Sequence, residues 1–261
     1  MWGAVIGDIA GSIYEYAQHK KVSPVNVDEI IPKAGYYSDD TILTMAIYDA
    51  ILNGNCNYEK YLRDYGRRFM NYWPNTGNLA IQVPRGAFSQ GFTAWVNGQS
   101  DGRSAGNGAI MRISGVGKLF DTETDVKENA LLATTPSHNT RGAVECAQIV
   151  ALVIFYGRMG MKPIWIRHRL NLMSLEYRPF KHFNRTCYET LNNCLYALFS
   201  SCNFEDAIRL VLSYGGDTDT NAAIVGAMAE AFWGVPEYLV RQARKKIPKE
   251  FSNLLDQAYS W

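Results

Sequence analysis

The chain has 261 residues, 26 Lys and Arg against 25 Asp and Glu, and a formal net charge of +1 spread along its length. That balance excludes a dedicated nucleic-acid surface, which would be clearly basic. The length suits one large domain or two small ones, with about three quarters of the unfolded surface buried.

Helix-period patterns dominate, and strand-like alternation is scarce. The N-terminal stretch is apolar but has no basic region and is interrupted by Asp8, so it is not read as a signal peptide. Gly3 to Tyr16 predicts a small-residue helix in which Gly7 and Gly11 would let a neighbour approach closely. A polar loop follows over Gln18 to Tyr37. Asp39-Asp40-Thr41 then caps an apolar, and therefore buried, helix over Ile42 to Leu52. Tyr58 to Trp73 is amphipathic. Pro74 to Gly108 reads as irregular, broken by a short helical piece near Gly86 to Trp95.

Further on, Ala109 to Leu119 and Thr124 to Thr134 predict helices, the second capped by Asp121 or Thr122. Thr140 to Tyr156 is a strong helix, whose apolar run from Ile149 is too short to span a bilayer. Lys162 to Met173, Thr186 to Ser200, Phe204 to Ser213, Asp217 to Trp233 and Pro236 to Lys246 complete the helical series. Five cysteines (Cys56, Cys146, Cys187, Cys194, Cys202) include no CxxC pair, which argues for a reduced, cytoplasmic chain and against a zinc site. A single all-α domain over residues 1–261 is expected, with no membrane segment and a monomer as the simplest state.

Chemistry concentrates in a few stretches. Gly215-Gly216-Asp217-Thr218-Asp219-Thr220 places two carboxylates and hydroxyls where a glycine turn becomes a helix. One cap needs one side chain; an oversupply of hard oxygens suits a divalent cation. Ser38-Asp39-Asp40-Thr41 repeats the pattern at a second apolar helix. If both are core helices, their acidic ends could converge, and four close carboxylates resist joint ionisation unless cations neutralise them.

A third stretch, Gly102 to Ala109, is a glycine-rich turn entering a helix, which could receive a phosphate or be only a flexible loop. Arg112 beyond it could pair with phosphate or with a core carboxylate. Ser137-His138-Asn139 enters a further helix, where His138 is as readily structural as functional and Ser137 lacks a nucleophile elbow. Glu15 ends its helix against the helix dipole. His19, His168 and His182 carry no readable signal.

Taken as a set, these motifs resemble the ADP-ribosylglycohydrolase family. They are Gly3-Ala4-Val5-Ile6-Gly7-Asp8, Gly11 to Glu15, Tyr37 to Thr41, Ser104 to Arg112, Ser137-His138 and Gly215 to Thr220, in the family's order and over nearly the whole chain. The resemblance implies a compact orthogonal helical domain with two Mg²⁺ or Mn²⁺ ions at the floor of a cleft. Carried over by position, Ser38, Asp39, Asp40, Asp217, Asp219 and Thr220 would be their ligands. Ser104, Gly106, Asn107 and Gly108 would cradle a diphosphate, with His138 near the ADP-ribose. Glu15 would assist catalysis beside Asp39 and Asp40, and the Gly-Ser-Ile-Tyr-Glu wording leans towards the serine-type branch.

The implied reaction frees ADP-ribose from a modified protein side chain or small conjugate. The alternatives are a non-catalytic ADP-ribose binder and a di-metal nucleotide diphosphohydrolase. Three departures bear on the cleft. Ser38 stands where Thr is commoner, Ala105 stands where an aromatic wall is usual, and Pro84 to Ser89 matches its loop only loosely.

Overall fold

The computed structural model describes residues 1–74 and 88–260, so most of the Pro84 to Ser89 segment and the start of the Gly86 to Trp95 piece lie outside the described residues. Among the described residues are fourteen helices and two isolated β-bridges. In chain order they are α1 Trp2–Gln18, α2 Asp39–Leu52, α3 Tyr58–Arg68, α4 Gln90–Val96, α5 Gly108–Met111, α6 Ser114–Leu119 and α7 Glu123–Thr134. There follow α8 Arg141–Arg158, α9 Pro163–Arg169, α10 Cys187–Ser200, α11 Phe204–Ser213, α12 Thr218–Trp233, α13 Glu237–Arg244 and α14 Lys249–Ser260. The all-α expectation holds, and no described helix is long and apolar enough to cross a membrane.

Local chemistry sets many of the helix starts. Ser38, Asn57, Ser89, Thr122, Thr140, Thr186 and Asn203 each accept a backbone N–H of the first turn through the side chain. Of the two caps considered for α7, Thr122 is the one used.

Packing overrides periodicity elsewhere. The helix expected over Ala109 to Leu119 is broken at Arg112 and Ile113. Past the break α6 lies so close on α8 that a Cβ on Gly117 would fall 2.5 Å from Ala151 O. Helix α3 stops at Arg68 rather than Trp73, and Tyr72 instead stacks on Tyr37 with ring centroids 4.6 Å apart. Helix α9 stops at Arg169, with Asn171 in the left-handed region. The unanticipated α14 buries Phe251, Leu255 and Ala258 on one face.

The core is organised on α1 and α12, which run antiparallel. A Cβ on Gly3, Gly7 or Gly11 would lie 2.1, 1.9 or 2.3 Å from the carbonyl oxygens of Gly226, Ala222 and Thr218 respectively. Only glycines permit backbones this close. Both helices are buried around almost their whole circumference over these residues. The last turn of α1 therefore lies beside the first turn of α12, and α2 touches both.

Candidate active site

The acidic helix starts meet at this crossing. Asp8, from the middle of α1, points into it; Asp8 Oδ2 accepts from the Ser38 and Thr41 amides at 2.8 and 3.1 Å and from Thr41 Oγ1. Asp40 Oδ2 accepts from Ser38 Oγ at 3.1 Å and from Thr220 Oγ1 at 3.2 Å. The other oxygens of both residues, Asp8 Oδ1 and Asp40 Oδ1, are buried without a hydrogen-bond partner among the described residues. Carboxylate oxygens of Asp8, Asp40 and Asp219 lie within 4.8 Å of one another, as do those of Glu15, Asp217 and Asp219. Asp219 belongs to both groups.

The sequence-predicted ligands fall out differently. Ser38 Oγ caps α2 through the Asp40 amide. Asp39 is half-buried and lines the cleft, outside both close groups of carboxylates. Asp217 makes no side-chain capping bond on α12 and is held instead by Asn107 Nδ2 at 2.6 Å. Thr220 reaches Asp40 across the helix crossing, which leaves capping unable to account for this cluster.

Electrostatics make the same point. Burial pushes Asp8 up to about 6. Burial and then Glu15 do the same to Asp217. Burial and neighbouring carboxylates push Asp39, Asp40 and Asp219 well above the ordinary range. None of these five aspartates is ion-paired with Lys or Arg among the described residues. Converging hard oxygens, two of them buried and unpartnered, fit a divalent cation.

The turn before α12 is fixed from outside. Gly215 and Gly216 both have positive φ, and a Cβ on Gly216 would lie 2.3 Å from Asn184 Oδ1. That oxygen accepts the Asp217 amide at 2.8 Å, while Asn184 Nδ2 donates to Thr190 Oγ1 and Asn221 Oδ1 at 2.7 and 2.9 Å. Asn184→Ala leaves several buried groups unpartnered, so a stability loss of about 1–3 kcal/mol and a 10–100-fold weaker Mg²⁺ response are expected. Thermal melts at graded Mg²⁺ check this; an unchanged midpoint and titration would show that Asn184 does not hold the turn.

The glycine-rich stretch forms one wall of a cleft of about 800 Å³ above the carboxylates. Single β-bridges pin it on both sides, Arg103 to His138 and Gly106 to Thr186. The Gly106 amide is committed to Ser104 Oγ at 3.0 Å and the Asn107 amide to Arg185 O at 2.9 Å. Ser104, Gly106, Asn107, Gly108 and His138 all line the cleft. Burial and then the Arg112 charge hold His138 well below the ordinary imidazole range. Arg112 is fully buried and, among the described residues, pairs with no carboxylate; its partners are Ser137 Oγ at 2.7 Å and Ala133 O at 3.4 Å.

Whole-chain comparison gives these features a family. The ADP-ribosylglycohydrolase family model matches residues 1–260. The chain belongs to the ADP-ribosylglycohydrolase family. The ADP-ribosylarginine hydrolase Tri1 of Pseudomonas putida (strain GB-1) is 25% identical over 98% of this chain and 76% of its own length. The ADP-ribosylhydrolase ARH3 of Xenopus tropicalis is 23% identical over 89% of this chain and 85% of its own. For the ADP-ribosyl-[dinitrogen reductase] glycohydrolase of Rhodospirillum rubrum the figures are 23%, 97% and 92%. A solved structure described as an ADP-ribosylglycohydrolase-related protein complex shares the fold, with a TM-score of 0.75 at 18% identity over 99% of this chain and 95% of that one.

Within this family member, several site residues carried no readable role in the sequence. Asp8 had one signal, a charge inside an otherwise apolar helix, where an unpaired acid is rarely buried. Asn184 and Gln18 had none: Gln18 Oε1 accepts the Ser23 and Gly216 amides from the end of α1. His19, set aside in the sequence, stands 3.3 Å from Glu15 and stacks on Phe183 with centroids 3.8 Å apart. Phe183 and His19 thus put an aromatic face on the cleft rim, while Ala105 is exposed.

Proposed function

We propose that this glycohydrolase cleaves the glycosidic bond between ADP-ribose and an acceptor, a modified protein side chain or small conjugate, and that it depends on two divalent cations, Mg²⁺ or Mn²⁺. The observation that carries the reading is the pair of carboxylate groups sharing Asp219 beneath the glycine-lined cleft. Asp8 and Asp40 on one side, and Glu15 and Asp217 on the other, would hold the cations with Asp219; Ser38, Asp39 and Thr220 offer further oxygens. Bound cations supply Lewis acidity, orienting ribose hydroxyls and lowering the pKa of water. Ser104, Gly106, Asn107, Gly108 and His138 hold the diphosphate. Asn107, bonded to Asp217, ties that cradle to the carboxylates. Glu15, with Asp39 and Asp40 the other candidates, takes the proton of the attacking water as the bond to the acceptor breaks with oxocarbenium character.

The test is incubation with Mg²⁺ and arginine-, serine- and acetyl-linked ADP-ribose while free ADP-ribose is followed. Release from one linkage supports the proposal and names the acceptor. Release of AMP would make the protein a phosphohydrolase, and binding without turnover would make it a non-catalytic ADP-ribose receptor.

Cation binding also predicts a pH signature. Asp8 and Asp217 sit at about 6 in the fold against an ordinary 3.8. A raised acid stabilises the fold fully below its unfolded pKa and loses that contribution as pH rises through the folded value. Chelator-treated protein is therefore expected to melt lower at pH 7.5 than at pH 5. Added Mg²⁺ must compete with those protons. At a hundred times its Kd it adds about 2.7 kcal/mol, roughly 5–10 °C at this size. That gain is expected at pH 7.5 and is largely lost at pH 5. Calorimetry at both pH values checks it; equal gains would remove the carboxylates as the binding groups.

A further inference from the structure

The Arg112–Ser137–His138 chain lies behind the glycine wall, and elementary hydrogen-bond chemistry fixes its direction. A guanidinium only donates, so Ser137 Oγ, 2.7 Å from Arg112 Nη2, is an acceptor there. The hydroxyl's one proton faces His138 Nδ1 at 2.8 Å. Were Nδ1 the protonated nitrogen, Ser137 would accept twice and its own buried O–H would lack a partner among the described residues, at a cost comparable to a lost hydrogen bond. With Nδ1 accepting, a neutral ring carries its proton on Nε2. Burial and the Arg112 charge keep the ring neutral.

Geometry then says where that proton points. Nε2 lies 3.4 Å from the position of a Cβ on Gly108 and 3.7 Å from one on Gly106, facing the wall of the cleft. The segment cannot drift, because Ser104 N donates to Ser137 O at 3.3 Å and Asn139 N to Gly102 O at 2.7 Å. Arg112 is fully buried although it borders the cleft, and its Nε and Nη1 have no partner among the described residues. A buried cation without a carboxylate partner is costly, and here its Nη2 is committed to Ser137 Oγ and Ala133 O.

We propose that Arg112, acting through Ser137, is a positioning residue that locks His138 as the Nε2–H tautomer, so that a neutral imidazole donates to phosphate oxygens lying over Gly106 and Gly108. The ligand named here rests on the proposed function; the tautomer does not. The two are therefore measured separately.

Ring ¹⁵N correlations of the ligand-free, labelled protein report the tautomer, with His138 signals assigned by their loss in His138→Asn. Wild type is expected to show protonated Nε2 and bare Nδ1, unchanged between about pH 6 and 8. In Ser137→Ala the two nitrogens should average, and the Kd for ADP-ribose should rise about tenfold, the size of one charge-assisted hydrogen bond. Ser137→Thr, which keeps the hydroxyl, should restore both. A proton on Nδ1 in wild type, or an unchanged tautomer in Ser137→Ala, would overturn the lock. Should Ser137→Ala not fold, the wild-type and Ser137→Thr spectra still decide it. If wild type shows the expected tautomer but binds no ADP-ribose, the ligand assignment and the functional reading fall while the lock stands.

Discussion

Asp219→Ala is expected to reduce ADP-ribose release more than about 10³-fold and to abolish the Mg²⁺-dependent rise in melting temperature. The reason is its position. Asp219 is the one carboxylate common to both close groups, so its removal dismantles both at once. It should not unfold the protein. Its side chain is pushed well above the ordinary range by burial and by Glu15, Asp217 and other acids. Removing it relieves repulsion, and the metal-free variant should melt at or above metal-free wild type near pH 7.5. Activity, Mg²⁺ response and metal-free stability are thus predicted to move in different directions. A variant that keeps its Mg²⁺ response would place the cations elsewhere.

Gly7→Ala is expected to have the largest effect on stability. Its Cβ would lie 1.9 Å from Ala222 O and 2.3 Å from Ala222 C. Backbone atoms cannot rotate aside, so α1 and α12 must separate, at a cost of about 3 kcal/mol or more. For a chain of this size that is a fall of roughly 6–12 °C. The separation also moves Asp8, the next residue, away from Ser38 and Thr41, so the Mg²⁺ response should weaken. Gly91→Ala is the control: it lies in α4, and an added Cβ meets nothing within 4 Å among the described residues. A neutral or slightly stabilising result is expected there. Equal tolerance of the two substitutions in denaturant melts would contradict the close α1–α12 contact.

Much of this site was legible in the sequence because it breaks a local rule twice. Helix caps need one oxygen, and Ser38 to Asp40 and Asp217 to Thr220 each offer several at the head of an apolar helix. The glycine spacing in α1 likewise announced a close neighbour. What the sequence could not say was which neighbour, and that decides which carboxylates Asp8 lies beside. An acid in the middle of α1 becomes a site residue only once α12 and the start of α2 lie against it. Asn184 and Gln18 act through backbone amides of the Gly215–Asp217 turn, and nothing in their own surroundings marks them. Arg112 was read as a partner for phosphate or carboxylate; among the described residues it pairs with no carboxylate, and its side chain reaches Ser137 instead. Three helix ends differed from expectation, at Arg68, Arg169 and Met111; beyond the first Tyr72 stacks on Tyr37, and beyond the second Asn171 is left-handed.

The α1–α12 pairing has a consequence for how the protein is made. Its two halves are separated by some two hundred positions, and chains emerge from the ribosome N-terminal end first, at about 5–20 residues per second. For about 10–40 seconds α1 is present without the partner that buries it, its small apolar surface available to other nascent chains. The proposed cation site cannot help during that interval, because Asp217 and Asp219 have not yet been synthesised. Assembly of the candidate site is thus one of the last events in biogenesis. Truncation before α12 should yield a product that is not merely inactive but prone to aggregate.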